Sequence, residues 1–426
     1  MKVVVLGLWH LGCVTAACCA EHLPVIGLDF DEESVAKLKS GRAPIYEPGL
    51  DELIQAGLKT AQLSFTADAK EALTGTDILW VCYDTPVDDN DTPDVAFVLD
   101  RLTSCLSHLP ARAIVLLSSQ LPAGTCRRLE EQYAERNFFF ACSPENLRLG
   151  NALDIFRSPD RIIVGAREAE ARQRLTELFA PFCSKIIWMR PESAEMTKHG
   201  INGFLALSVT FANEIARLCE AVGADAREVE QGLRSESRIG KKAYIRPGSA
   251  FAGGTLARDV IALTTIAREH GEEAALLQAI LRSNETHKDW PLRRLESFYG
   301  NLNGRAIALL GVSYKAGTDT LRRSTALELG KALLEKGCEV RCYDPAVRNL
   351  PDTFTAAILC SSMAEAIHRT DAVVVATEWP EFQQADWRVL IRSMKQPAVI
   401  LDANRFLALK DEQLQNAHYH TVGAAG

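Results

Sequence analysis

Lys2-Val3-Val4-Val5-Leu6-Gly7-Leu8-Trp9-His10-Leu11-Gly12, continued by Pro24-Val25-Ile26-Gly27-Leu28-Asp29, is the stretch that decides the fold. Lys2 to Leu8 is an unbroken β-rich run of the kind a strand shows when both its faces are covered. Gly12 to His22 reads as a helix and Pro24 to Asp29 as a second buried strand, a βαβ opening. Further apolar runs at Ile78 to Cys82, Ala113 to Ser118, Phe138 to Cys142 and Arg161 to Val164 alternate with helical stretches such as Asp94 to Leu106 and Ala169 to Phe179. Strands alternating with helices predict a doubly wound parallel sheet.

From Ser193 to about Val222 apolar residues recur at helical spacing (Ile201, Leu205, Phe211, Ile215, Leu218), and a second helical region runs from Val260 to about Tyr299. Arg305 to Val312, Glu339 to Tyr343, Ala372 to Ala376 and Ala398 to Asp402 then restore the strand pattern, with a helix from Ser324 to Glu335. The expected fold class is α/β: two Rossmann-like doubly wound parallel-sheet domains joined by a long central helix and a helical middle. The expected boundaries are 1–190, 191–300 and 301–426.

With 426 residues, 47% hydrophobic and 24% charged, the chain has the composition of a globular protein of two or three domains. The net charge of -8 argues against a nucleic-acid binder held by phosphate neutralisation, although a phosphate-bearing small ligand needs only a few local donors. Twelve cysteines without C-x-x-C pairs fit buried reduced thiols, and neither a disulfide framework nor a metal site is expected. The apolar stretch Val3 to Ala20 divides into strand, glycine turn and helix, unlike a secretion signal. A cytoplasmic protein with no membrane association follows as the expectation.

Gly7-Leu8-Trp9-His10-Leu11-Gly12 lies where a dinucleotide fold places G-x-G-x-x-G. Gly7 suits the tight turn, Gly12 the close helix–strand packing, and the helix N-terminus offers amides to a pyrophosphate. Trp9 stands where glycine ordinarily lets the backbone approach the phosphates. Asp29 closes the second strand about 20 residues on, where an acid accepts from a ribose hydroxyl and favours NAD over NADP. Ordinary turn and packing glycines would leave the same trace. Lys198 and Asn202 share a helix face in surroundings too apolar to face solvent, which suggests a site; a lysine at a helix start that reaches water is the plain alternative. The stretch Arg246-Pro247-Gly248-Ser249-Ala250-Phe251-Ala252-Gly253-Gly254-Thr255 leads through Arg258 to Asp259. It is a glycine-rich entry to a helix, suited to a ligand or simply to an acid in the first turn.

In their order along the chain these landmarks resemble the UDP-glucose/GDP-mannose dehydrogenase family. Glu47-Pro48-Gly49-Leu50, Asp84-Thr85-Pro86, Ser119 to Thr125, Ser143 to Arg148, Arg238-Ile239-Gly240, Tyr314-Lys315 with Arg322, and Tyr343-Asp344-Pro345 extend the resemblance to about residue 410. The resemblance implies oxidation of the C6 alcohol of a UDP- or GDP-sugar by two hydride transfers to NAD. It implies a cofactor site of Gly7, Trp9, His10, Leu11, Gly12, Asp29 and Thr85. Lys198 and Asn202 would polarise the reacting oxygen, Asp259 would organise the proton path, and Glu145 would be the base of the hydrolytic step. Asn146 and Leu147 would line the sugar, with Tyr244, Phe251, Gly253, Lys315 and Arg322 as further substrate contacts. Arg238 would cross the interface of a homodimer.

Four positions depart from the family pattern. Thr255 replaces the nucleophilic cysteine, with Arg258 for the lysine before Asp259; Gln120 replaces a threonine; and Trp9 replaces glycine. A threonine hydroxyl is a poor nucleophile without a strong adjacent base, so the second oxidation is expected to be altered. Cys142, three residues before Glu145, is the nearest other thiol, and a strand-end cysteine is ordinarily inert packing. A noncatalytic nucleotide-sugar binder that keeps the fold and the dimer is the rival reading.

Overall fold

The computed structural model describes residues 1–86, 88, 93–145, 147–252, 254–414 and 416–424. The chain divides into two compact units, Met1–Ile201 and Asn202–Gly426.

The first unit is built on eight strands: β1 (Val3–Leu6), β2 (Val25–Leu28), β3 (Leu63–Thr66), β4 (Ile78–Val81), β5 (Ile114–Leu117), β6 (Phe139–Cys142), β7 (Ile162–Gly165) and β8 (Ile186–Met189). Their order in the sheet is β3-β2-β1-β4-β5-β6-β7-β8. Every residue of β1, β4, β5 and β6 is buried. Alternate side chains serve opposite faces: Val3, Val5, Ile78, Trp80, Ile114 and Leu116 pack on one, Val4, Leu6, Leu79, Val81, Val115 and Leu117 on the other. Removing each such aliphatic side chain from water is worth roughly 1.5–3 kcal/mol, and this explains the continuous apolar runs. The expectation of a purely parallel sheet needs one correction, because β6 and β7 meet antiparallel at Cys142 and Gly165. A run covered on both faces carries no mark of its direction.

The second unit carries six parallel strands: β9 (Ala306–Leu310), β10 (Glu339–Tyr343), β11 (Ile358–Leu359), β12 (Ala372–Val375), β13 (Ala398–Asp402) and β14 (Ala417–His420). The order is β11-β10-β9-β12-β13-β14. Both sheets reverse their winding beside the first strand, between β1 and β4 and between β9 and β12. In open α/β sheets the crevice at the carboxyl ends of those strands is where ligands bind.

The central helix runs Pro191–Val222, and the division between the units falls within it. Its apolar stripe is not all core. Ala206, Ala212, Ala216 and Cys219 are buried, whereas Phe204 is 66%, Phe211 45% and Leu218 62% exposed. The expectation that these turns are too apolar to face solvent is thus corrected for one face of the helix, where Phe204, Phe211 and Leu218 stay exposed among the described residues. The helical region after it is three helices, Thr255–Glu269, Ala275–Lys288 and Trp290–Tyr299, with Gly271 in the left-handed region at the first break. All twelve cysteines are free thiols, eleven of them buried.

Candidate functional site

In the first unit the turn after β1 is set by close approach. Gly7 has φ +93°, and a Cβ there would lie 2.8 Å from the Tyr83 backbone nitrogen; one at Gly12 would lie 1.7 Å from the Gly7 oxygen. Only glycine lets the first helix, His10–Cys19, sit so close to the strand. Trp9 precedes that helix with φ -94°, a value that demands no glycine, and its side chain is 48% exposed. No side chain caps this helix. The amides at its start therefore suit an anion. Asp29 accepts from the Leu8 N–H at 2.6 Å and from the Asp31 N–H at 3.1 Å. A carboxylate has about four lone-pair sites, so the half-buried Asp29 retains acceptor capacity for a ribose. The uncapped amides, the two required glycines and the terminal acid fit a dinucleotide. Leu11 is buried beneath the turn, and His10 faces Glu47.

Gln120, Glu145 and Lys198 line one small cavity of the first unit, of about 30 Å³, together with Cys142, Glu195 and His199. The Lys198 side chain is only 15% exposed, and its Nζ donates to the Glu145 carbonyl at 2.7 Å and lies 4.0 Å from Glu145 Oε1. Its burial and its bond to the Glu145 carbonyl differ from those of a lysine extended freely into water. Glu145 Oε2 accepts from the Leu147 N–H at 2.5 Å. Thr85 donates to the Gln120 carbonyl at 2.7 Å, and the buried Glu195 accepts from the Gly124 N–H at 2.5 Å and the Cys126 N–H at 2.9 Å, so the Ser119–Thr125 segment is fixed from two sides. Cys142 sits in the hydrophobic core, as its position at a strand end implies.

In the second unit Asn202 Nδ2 donates to Asp259 Oδ2, and Asp259 is fully buried. Burying an amide and a carboxylate together costs free energy unless each is paired, so this contact marks a deliberate polar cluster. Thr255 opens the helix Thr255–Glu269 and is exposed. Gly254 before it has φ +104°, and a Cβ there would come within 3.4 Å of the Tyr314 hydroxyl and 3.6 Å of Arg323 Nη1. The segment after β9 thus reaches the glycine-rich loop; Lys315 and Arg322 on that segment are exposed. Tyr244 and Phe251 line an open cleft of about 470 Å³ with Arg234, Arg246, Glu378 and Asn404. Arg238 is 87% exposed, its Nε 3.0 Å from Glu236 Oε1. Asn146 and Gly253 lie outside the described residues.

Sequence reasoning missed the residues that hold the loop. Asn213 Oδ1 accepts from Gly248 N–H at 2.9 Å, Asn284 exchanges two hydrogen bonds with the backbone of Phe251 at 3.0 and 2.8 Å, and Asn404 Oδ1 accepts from Ser249 N–H at 2.7 Å. His287 Nε2 reaches the Gly248 carbonyl at 2.8 Å, and its Nδ1 lies 3.2 Å from Arg217. Burial pushes this imidazole down to about 4, and the neighbouring Arg217 guanidinium adds to the effect against the Gly248 bond. A neutral ring with the proton on Nε2 satisfies both neighbours. A sequence signal existed for part of the set: Glu195, Lys198, His199, Asn202 and Asn213 recur at helical spacing, a polar stripe along an apolar helix.

Asp344 closes β10 as Asp29 closes β2, but its Oδ2 accepts from Val312 N–H at 2.8 Å, Ser313 N–H at 2.9 Å and Ser313 Oγ at 2.7 Å, and it is buried. The second sheet uses its terminal acid as an internal anchor, whereas Asp29 stays half-exposed.

Residues 1–183 match the NAD binding domain of the UDP-glucose/GDP-mannose dehydrogenase family, residues 192–286 its central domain and residues 308–408 its UDP binding domain. The chain belongs to this family. It is 34% identical to the UDP-glucose 6-dehydrogenase of Pseudomonas aeruginosa, over 97% of this chain and 96% of that one. It is 32% identical to the UDP-glucose 6-dehydrogenase TuaD of Bacillus subtilis, over 99% and 93%. The solved UDP-glucose dehydrogenase of Pyrobaculum islandicum superposes with a TM-score of 0.86 at 30% identity, covering 100% of this chain and 98% of that one. The UDP-D-ManNAc dehydrogenase of Pyrococcus horikoshii gives 0.84 at 26%, covering 99% of each. Among the described residues no helix is long and apolar enough to cross a membrane.

Proposed function

We propose that this family member oxidises the C6 hydroxyl of a nucleotide sugar, UDP-glucose or a close analogue, in the cytoplasm. The division of labour is a cofactor domain at 1–190, a central dimerisation domain at 191–300 and a nucleotide-sugar domain at 301–426. The observation that carries the reading is the largely buried Lys198 side chain on a cavity shared with Glu145 and Gln120, its ammonium on the Glu145 carbonyl, a costly arrangement for packing alone. When bound, NAD accepts the hydride leaving C6. Lys198 and Asn202 stabilise negative charge gathering on the sugar oxygen, Asp259 orders the proton path, and Glu145 activates water for the second stage. Tyr244 and Phe251 supply aromatic faces, and Lys315 and Arg322 cations, for the nucleotide diphosphate.

Thr255 changes the second stage. A hydroxyl does not trap the aldehyde as a thiol does, so the route passes through a hydrated aldehyde or stops after one oxidation. The test is NADH formation on mixing the protein with NAD and UDP-glucose or GDP-mannose. NADH should appear, and with NADP, whose 2′-phosphate Asp29 repels, NADPH should form at less than about a tenth of that rate. Saturable sugar-nucleotide binding with no NADH from any sugar would leave the noncatalytic binder as the better reading.

A homodimer belongs to the same proposal. Phe204, Phe211 and Leu218 form an exposed apolar line at seven-residue spacing, the pattern of a helix that packs against a second helix. Arg238 projects into solvent, held by an exposed ion pair to Glu236, where it would meet a neighbouring subunit's nucleotide. Arg238→Ala should weaken sugar-nucleotide binding about tenfold in calorimetry while the dimer persists in ultracentrifugation. A wild-type monomer, or undiminished affinity in the variant, would remove this assignment.

A further inference from the structure

The Glu47 carboxylate is 1% exposed and joins two segments far apart in sequence. Its Oε2 lies 2.9 Å from His10 Nε2 and accepts from the Gly150 N–H at 2.8 Å; its Oε1 accepts from the Ala152 N–H at 2.8 Å. Burial alone would raise this carboxyl, but the bonds from Gly150, Ala152 and His10 outweigh burial and hold it below its ordinary value. An ionised carboxylate only accepts, so His10 Nε2 carries the proton of the shared bond. At one end of the link His10 opens the helix of the glycine turn. At the other, Gly150 and Ala152 close the loop that begins at Glu145, whose carbonyl takes the Lys198 ammonium. Filling the space with an apolar side chain would pack as well without tying these segments together.

We propose that Glu47 is a positioning residue that couples the dinucleotide turn to the segment 147–152, so that filling the cofactor site orders the stretch that meets the sugar. It rests on the cofactor and sugar assignments made above. An anion drawn to the first helix fixes His10; His10 fixes one oxygen of Glu47; the same carboxylate holds the amides at the far end of the loop.

Hydrogen–deuterium exchange of the full chain with and without NAD tests it, in wild type, His10→Ala and Glu47→Gln, each at saturating NAD as followed by tryptophan fluorescence. NAD should slow exchange at 147–152 about fivefold or more in wild type, and the ratio should fall to about one in His10→Ala, which leaves the Gly150 and Ala152 bonds in place. A Glu47 that merely caps the Ala152–Arg157 helix would speed basal exchange in Glu47→Gln yet leave the NAD response intact in His10→Ala, and that result overturns the proposal. If His10→Ala loses NAD altogether, Glu47→Gln decides: a retained response there also overturns it. NAD binding to wild type without protection of 147–152 defeats the coupling alone, whereas no NAD binding at all defeats the cofactor reading and the coupling with it.

Discussion

Lys198→Met is expected to lower kcat for NADH formation by about a hundredfold to a thousandfold, with NAD affinity changed less than about threefold. Methionine keeps the length and apolar stem of lysine and removes the ammonium. The charge sits on a cavity wall with little water to screen it, so its attraction for an oxygen gathering negative charge is strong there and weak in bulk solvent. Lys198 also donates to the Glu145 carbonyl, and part of any loss could come from a slackened loop. Lys198→Arg separates the two effects: it keeps the charge and the donor to the loop but moves the cation off the lysine position. A large fall in kcat for both variants with KM nearly constant places the ammonium at the reacting oxygen. A fall of less than about threefold in Lys198→Met reduces Lys198 to a loop tether and removes the core of the proposed mechanism.

What could be read in the sequence follows the physics of burial. Strands such as β1, β4, β5 and β6 are covered on both faces and write continuous apolar runs, so the expected strands match them closely. β3, β8, β11 and β14 were not expected. β8 is Ile-Ile-Trp-Met with three residues half-buried and Ile187 exposed, and β14 is Ala-His-Tyr-His with none buried; each ends its sheet, where only part of the strand needs to be apolar. Phe204, Phe211 and Leu218 show a different limit. Apolar spacing identifies a face that avoids water, but whether its cover comes from the same chain is a tertiary fact. Gly7 and Gly12 at a strand–helix turn and Lys198 beside apolar turns are residue types that are costly in their local pattern, whereas Asp259 is marked by the family resemblance. Asn284, His287 and Asn404 clamp the Gly248–Phe251 loop from positions far along the chain, and nothing local announces them. Glu47 was legible only as a motif; its bonds to His10, Gly150 and Ala152 give the motif its physical content.

Thr255→Cys is expected to carry the reaction from about one NADH per sugar, or a slow partial yield, toward two. Thr255 is the first residue of its helix, exposed, with Arg258 in the same turn. A cysteine there meets the partial positive charge of the helix N-terminus, which favours the thiolate at neutral pH. The thiolate adds to the aldehyde carbon left by the first oxidation, and the resulting thiohemiacetal gives up the C6 hydride to a second NAD, leaving a thioester. Water, activated by Glu145, displaces the thiol and releases the carboxylate, so each sugar yields two NADH and the cysteine is restored. Removing one transition-state partner commonly costs about a hundredfold or more in rate, so restoring a nucleophile should stand well above the scatter of a stoichiometric NADH assay. Gln120 and Trp9 also depart from the family pattern, so Gln120→Thr and Trp9→Gly belong beside Thr255→Cys, singly and combined. A wild type that already yields two NADH per sugar, at a rate unchanged by Thr255→Ala, would show that the second oxidation takes another route and that Thr255 does not limit it. If every variant binds the sugar nucleotide and none binds NAD, the oxidoreductase reading itself gives way to the binder.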